Sequence, residues 1–255
     1  MARSLSDDQA RFLRLRAQRL HPQQRNSIAD VAQVVKELCG VQAQDASAAA
    51  LTVRARSAGL TASDVERARL QERSLVRTWC MRGTLHLLAT QDIGWLLPLL
   101  GPIFVREGRR RRAELGLDED TCARGIRAIR NALANRGPLT RAELADHLTA
   151  CGIRATGQGP YHLVRQAALE GIVCVGPDRD NKPTYALLDD WVKPERAMSR
   201  DAAQAELARR YLEAYGPAAR EAHPSRRRVA APGIAGGRMR FGTWGCAATS
   251  VKTVS

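Results

Sequence analysis

Apolar positions recur at helical spacing through the first part of the chain. Phe12, Leu13, Leu15 and Leu20 mark a helix over 9–20 that ends at His21-Pro22. Ile28, Val31, Val34, Val35 and Leu38 share one face of a second helix over 28–39, with Gly40 as its stop. The pattern predicts a third helix over 46–57, capped by Asp45 or Ser47, and a fourth from Thr61 to near Gln71. The period then changes: residues 75–79 and 84–88 alternate like strands, joined by a short turn containing Gly83. Three helices followed by a two-stranded hairpin is the element order of a winged helix.

The same order returns in residues 118–192. Helices are predicted over 121–135, over 141–151 with Thr140 as N-cap, and over 158–170, where Leu163, Val164, Ala167 and Ala168 face inward. A hairpin follows, with strands at 172–175 and 184–188 around a polar tip at 177–183. Two copies make an internal repeat of a DNA-binding module. The expected fold is therefore mainly α with small β-hairpins (α+β), built from tandem winged-helix modules. One unit covers 1–117 and a second covers 118–192, while 193–219 holds a further helix, 201–215, ending at Gly216-Pro217.

From Arg220 the pattern stops. The last 36 residues contain no leucine and one acidic residue, Glu221, against seven basic ones. Such a segment cannot bury enough apolar surface to offset its ordering entropy, so 220–255 is expected to be disordered. Three readings of it stand open: translation out of frame after a frameshift near residue 219, a basic DNA-binding arm, or an unstructured extension.

The net charge of +14 calls for a polyanionic partner. The basic side is almost all arginine, with lysine only at 36, 182, 193 and 252, and arginine favours bidentate phosphate and guanine contacts. A coding sequence rich in G and C enriches Arg as well, so the charge alone does not decide the partner. Six scattered cysteines without a Cys-x-x-Cys pair or ligand spacing read as small core residues of a reduced cytosolic protein, with no metal site. The apolar run Trp95–Val105, broken by Pro98, Gly101 and Pro102, is too short to span a bilayer, and the N-terminus lacks a signal-peptide core.

Chemistry concentrates at Gly40-Val-Gln-Ala-Gln-Asp. Residues i and i+2 lie on one side of an extended segment, so Gln42 and Gln44 are expected to project together while Ala43 packs inward. Asp45 is a rival carboxylate, favoured here as a helix N-cap. On the first hairpin, Arg77 and Arg82 can lie on phosphates, and Trp79 or His86 near the bases, with Thr84 between them. The alternative is that Trp79 is a core residue and His86 a satisfied strand histidine. In the second module, Gln158, His162, Arg165 and Gln166 are candidates to face DNA, with Arg179 and Lys182 on the wing. Arg109–Arg112 reads as an exposed helix end that adds to the phosphate footprint.

Three stretches resemble the winged-helix alkylpurine DNA glycosylases of the AlkZ/YcaQ type: Leu38-Cys-Gly-Val-Gln-Ala-Gln, Leu75-Val-Arg-Thr-Trp-Cys-Met-Arg-Gly-Thr-Leu-His, and Ala208-Arg-Arg-Tyr-Leu-Glu-Ala-Tyr-Gly-Pro-Ala. The resemblance covers about residues 10–219. It implies hydrolysis of the N-glycosidic bond of N3- and N7-alkylated purines in double-stranded DNA, crosslinks included, without a cofactor, by a monomer at the cytoplasmic nucleoid. It makes Gln42 and Gln44 the catalytic pair, in the Gln-x-Gln rather than the Gln-x-Asp branch. It also implies a third winged helix and a C-terminal barrel, which are missing from the pattern after Gly216-Pro217. A non-enzymatic winged-helix DNA-binding protein, such as a transcription regulator, is the competing function, and a poorly folding fragment is a third reading.

Overall fold

A computed structural model describes residues 5–25, 30–153, 157–192 and 198–217. The expectations for Ile28, for Cys246 and for the segment 220–255 lie outside these residues. The described chain through Pro217 belongs to one compact unit. Helix α1 (Asp7–Ala17) starts from a capping box between Ser6 and Gln9. After the short α2 (Pro22–Arg25) comes α3 (Val31–Glu37), capped by Asp30 and inward-facing through Val31, Ala32, Val34 and Val35. Strand β1 (Val41–Gln42) leads to α4 (Ala46–Arg54), and α5 (Ala62–Leu70) begins from a second capping box at Thr61 and Asp64. The hairpin β2 (Leu75–Trp79) and β3 (Leu85–Ala89) completes this block.

Helix α6 (Ile93–Glu107) was not foreseen, because its prolines look like breaks in the sequence. Pro98 and Pro102 both lie on its exposed side, where a carbonyl that loses its N–H partner is open to solvent. The other side buries Trp95, Leu96, Leu97, Leu99, Leu100 and Phe104 at the centre of the larger hydrophobic core. Burial on that scale outweighs the local helix propensity. Helix α7 (Arg109–Glu114) follows, and here the expected exposed arginine run needs correction. Arg112 is only 7% exposed, and its guanidinium donates to the Val105 carbonyl at 2.9 Å.

The second block repeats the first: α8 (Glu119–Arg136), a two-residue strand β4 (Leu139–Thr140), α9 (Arg141–Ala150), α10 (Gly159–Leu169), and the hairpin β5 (Val173–Arg179) with β6 (Lys182–Leu187). In each block the short strand lies antiparallel to the last strand of the hairpin, β1 on β3 and β4 on β6. The two hairpins meet through β2 and β5, so both blocks share one six-stranded antiparallel sheet in the order β1-β3-β2-β5-β6-β4. That seam is held by a buried charge. Arg69, 3% exposed, reaches from α5 to the carbonyl of Gly176 at 2.8 Å and pairs with Glu66.

Helix α11 (Arg200–Tyr215) packs on α1 and α6. Its Arg210 forms a buried ion pair with Asp92 at 2.6 Å, and Asp92 also accepts from the Trp95 indole at 3.1 Å. The periodic apolar residues of α1 do not form core: Phe12, Leu13 and Leu15 are 46%, 37% and 47% exposed. Cys39, Cys80, Cys122 and Cys174 are buried as expected of small core residues, while Cys151 is exposed. Among the described residues no helix is long and apolar enough to cross a membrane, and no cluster of His, Cys, Asp and Glu could hold a metal.

Candidate active site

The loop between α3 and α4 is built by backbone rules. Cys39 and Gly40 both take positive φ, 55° and 100°, which ends α3 and swings the chain onto the sheet. The φ of Gly40 favours glycine, and a Cβ there would come within 2.7 Å of Leu88 Cδ2 and 2.9 Å of Met81 Cε, so a larger residue would be strained and would have to push both side chains aside. Val41 and Gln42 pair with Leu87 and His86, and the Ala43 amide donates to the Leu85 carbonyl at 2.8 Å. Extended backbone then alternates the side chains. Val41 and Ala43 are buried, and Gln42 and Gln44 are exposed on the same side. Their amides touch: Gln42 Nε2 donates to Gln44 Oε1 at 2.8 Å. Asp45 caps α4 through Ala48 N at 3.0 Å, so the rival carboxylate is occupied in holding the helix.

The hairpin beneath this loop supports it, and several residues expected on DNA are instead turned to that task. Arg77 spans the loop backbone, donating from Nε to the Ala43 carbonyl at 2.9 Å and from Nη2 to the Gln44 carbonyl at 3.2 Å. Partial burial of its guanidinium lowers its pKa. Trp79 is 3% exposed and packs edge-on to Tyr161 and stacked on Tyr185. It has no surface to offer a base, because β2 is buried on both faces. His86 is 4% exposed, with Nδ1 2.9 Å from the Thr84 carbonyl. Burial pushes its pKa down to about 4, with the Arg82 charge adding a smaller push in the same direction, so it is neutral at physiological pH. Thr84 spends its hydroxyl on the Met81 carbonyl within the turn. Arg82 reaches a glutamine side chain: its guanidinium donates to Gln42 Oε1.

Two neutral amides held side by side on an exposed surface can bind and orient a water molecule, but they cannot remove its proton as a strong base does. Such a pair suits a substrate whose leaving group needs no protonation. The family model described as "DNA glycosylase AlkZ-like" matches residues 35–222, which include the loop, the hairpin and the second block. The chain belongs to the AlkZ-like DNA glycosylase family. It is 34% identical over 219 residues to an interstrand DNA cross-link repair glycosylase of Streptomyces sahachiroi, an alignment that covers 80% of this chain and 56% of that protein. It also superposes on the solved structure of the Streptomyces sahachiroi DNA glycosylase AlkZ with a TM-score of 0.67 at 30% identity, covering 81% of this chain and 56% of the other. The chain thus spans little more than half the length of these relatives.

Elsewhere in this AlkZ-like chain, the residues expected on DNA divide by exposure. Lys182 and Arg179 are exposed at the tip of the second hairpin, where Asp180 and Asn181 take positive φ and Arg179 pairs with Glu143 of α9. Gln158 is exposed at the start of α10 and accepts from Arg111 at 3.2 Å. His162 is half-buried, its pKa lowered by burial first and by Arg165, Arg111 and Arg112 after it. Gln166 is buried and donates to Glu170 at 2.8 Å, which removes it from any DNA face. Arg165 is also turned inward, its Nε donating to the Gly83 carbonyl at 3.1 Å. A cavity of about 540 Å³ lies away from the glutamines, between α7 and α8, lined by Arg109, Arg112, Cys122, Arg127 and Gln166. The residues missed by sequence reading are therefore supporting ones, Asp92, Arg69 and Arg210, whose burial leaves no mark in a local pattern.

Proposed function

We propose that this chain is a DNA glycosylase that hydrolyses the N-glycosidic bond of N3- and N7-alkylated purines in double-stranded DNA, with Gln42 and Gln44 as the catalytic residues. Alkylation at either nitrogen makes the purine cationic and a good leaving group. The C1′–N9 bond can then break with its electron pair passing to the base, while water adds to C1′ and loses its proton to solvent. What remains for the protein is to place that water and to stabilise an oxocarbenium-like sugar, for which amide oxygens are suited. The observation that carries this reading is the exposed Gln42–Gln44 amide pair, anchored by Arg77 and by the Asp45 cap.

The two blocks are read as tandem winged helices over 1–117 and 118–192, followed by 193–219, with the exposed Gln158, Arg179 and Lys182 and the half-buried His162 to meet phosphate or base edges. The name of the Streptomyces relative extends the substrate range to interstrand crosslinks, which the same chemistry would unhook. The protein is read as a monomer without a cofactor, working on DNA in the cytoplasm. The test is base release from duplex DNA containing 7-methylguanine, with an otherwise identical uracil duplex as control. Release by the wild-type chain that is lost in Gln42→Ala and Gln44→Ala, with duplex affinity kept, is the expected result. Release of uracil, or loss of binding together with release, would count against these roles. Binding without any release of 7-methylguanine would favour a non-enzymatic DNA-binding protein.

A further inference from the structure

Two neutral amides in contact have two hydrogen-bond orders. Gln42 can donate to Gln44, or a half-turn of both amide groups can reverse the bond, and nothing in the pair itself separates the two. A guanidinium beside one of them breaks that symmetry, because arginine has only donors and can meet only an oxygen. Arg82 sits there, donating to Gln42 Oε1. The Gln42 nitrogen is then left to donate, and it does so to Gln44 Oε1 at 2.8 Å. We infer that Arg82 is a positioning residue that fixes the amide order of the catalytic pair, and that Arg165 of the second block holds the turn from which it acts.

The turn is built for that aim. Arg82 has φ 58° and ψ 13°, and Gly83 follows at φ 63°, so two consecutive left-handed residues point the Arg82 side chain back over β1. The turn is closed by Gly83 N to the Cys80 carbonyl at 2.9 Å and Thr84 N to the Met81 carbonyl at 3.2 Å. Arg165 then reaches from α10 to the Gly83 carbonyl at 3.1 Å, and a Cβ on Gly83 would run into its guanidinium. The line runs from Arg165 to Gly83, from Arg82 to Gln42, and from Gln42 to Gln44. Hydrogen bonds in series polarise one another, which keeps the order set at Gln42 through to Gln44. Gln42 Oε1 and Gln44 Oε1 each accept one bond of this line and each keeps a second lone pair, so the fixed order presents both oxygens in a set direction to a water. A turn of the first block is thus fastened by a side chain of the second, which gives the second block a part in the chemistry besides any hold on DNA.

The inference rests on the glycosylase reading for its consequence but not for its geometry, and the test separates the two. Arg82→Met and Arg82→Lys are made in the full chain and labelled with ¹⁵N. The Gln42 and Gln44 side-chain amide signals should shift in Arg82→Met and move back toward wild type in Arg82→Lys, whose ammonium restores a donor. Signals that stay at their wild-type positions in Arg82→Met overturn the inference whatever the activity. In single-turnover release of 7-methylguanine at saturating protein, Arg82→Met should lose about 10- to 100-fold in rate, the size expected when a residue orienting a functional ligand is removed. Its DNA affinity and salt dependence should stay unchanged, and in a Gln42→Ala background the same change should cost less than about twofold. A variant that keeps its saturating rate while its salt slope falls by about one makes Arg82 a phosphate contact and overturns the inference. A wild-type chain that releases no base would refute the glycosylase reading, and the amide spectra would still decide the role of Arg82. Arg165→Met should give amide shifts in the same direction, and wild-type spectra there would remove Arg165 from the line.

Discussion

His86 gives the sharpest prediction about stability. It lies on β3 opposite Gln42, is 4% exposed, and has its pKa pushed down to about 4 by burial. In the unfolded chain its pKa is the ordinary 6.5. Between these values the unfolded state binds a proton that the folded state refuses, so stability rises with pH across the window and is lost as pH falls from 6.5 toward 4. At pH 5 the unfolded histidine is almost fully charged and the folded one almost neutral. The resulting loss relative to pH 8 is about 2 kcal/mol, with a steepest slope of about 1.2 kcal/mol per pH unit near pH 5. The assay is urea unfolding followed by helical circular dichroism from pH 8 to pH 5, for wild type and for His86→Gln, which keeps a donor for the Thr84 carbonyl. His162 shifts in the same direction, and Asp64, Glu143, Glu206 and Asp118 have lowered pKa values, but these groups are common to both proteins and cancel in the comparison. The expected result is a shallower pH dependence for His86→Gln, with the gap between the two proteins narrowing by about 2 kcal/mol at pH 5. Parallel curves would refute the reasoning, as would an imidazole titration in the folded wild type with its midpoint near 6.5. Because β3 carries β1, acid loss of the folded state should also remove whatever activity the glutamines have.

Arg210→Met should destabilise the protein by about 3–5 kcal/mol in urea unfolding, because it leaves the Asp92 carboxylate buried without its partner, and a cost below about 1 kcal/mol would show the pair to be solvated. Lys182→Ala should weaken duplex binding evenly across sequences and lower the salt slope by about one, as loss of one phosphate contact does, whereas sequence-dependent weakening would place Lys182 on a base edge.

The elements that sequence reading placed well are those whose cause is local. Gly40 stops α3 because its φ favours glycine, and the extended step after it sets Gln42 and Gln44 together with Ala43 inside. Thr61 and Thr140 announce their helices by capping boxes that any reader of the chain can find. The residues that went astray are those whose partner is distant in sequence. Arg77 alternates on a strand as a DNA contact would, but the carbonyls it holds belong to residues 43 and 44. Arg165 faces Gly83 across 82 positions, and Arg112 is drawn into the structure by the Val105 carbonyl although its neighbours are solvated. Pro98 and Pro102 mislead for the opposite reason. Each is a genuine local defect in a helix, and α6 forms regardless because its buried side supplies far more than the defects remove.

The sheet shows why position along one strand does not by itself tell which side chains face outward. Each block has the same order of a helix, a short strand, two helices and a hairpin, so the residues of one block resemble DNA-facing residues of the other when read separately. Once β2 pairs with β5, the side of the first hairpin nearest the second block becomes interior, and Trp79 and Arg69 are buried beside that seam. The repeat is also asymmetric where it matters. The short strand of the second block ends in Thr140, which is occupied with Glu143 in capping α9, whereas the equivalent place in the first block is Gln42. There the cap is moved three residues on to Asp45, and the two glutamines gain an exposed position that a capping residue does not have. Displacing the cap along the chain is the local change that turns a helix entry into a candidate active site, and it leaves the glutamine order to be set by groups outside the loop.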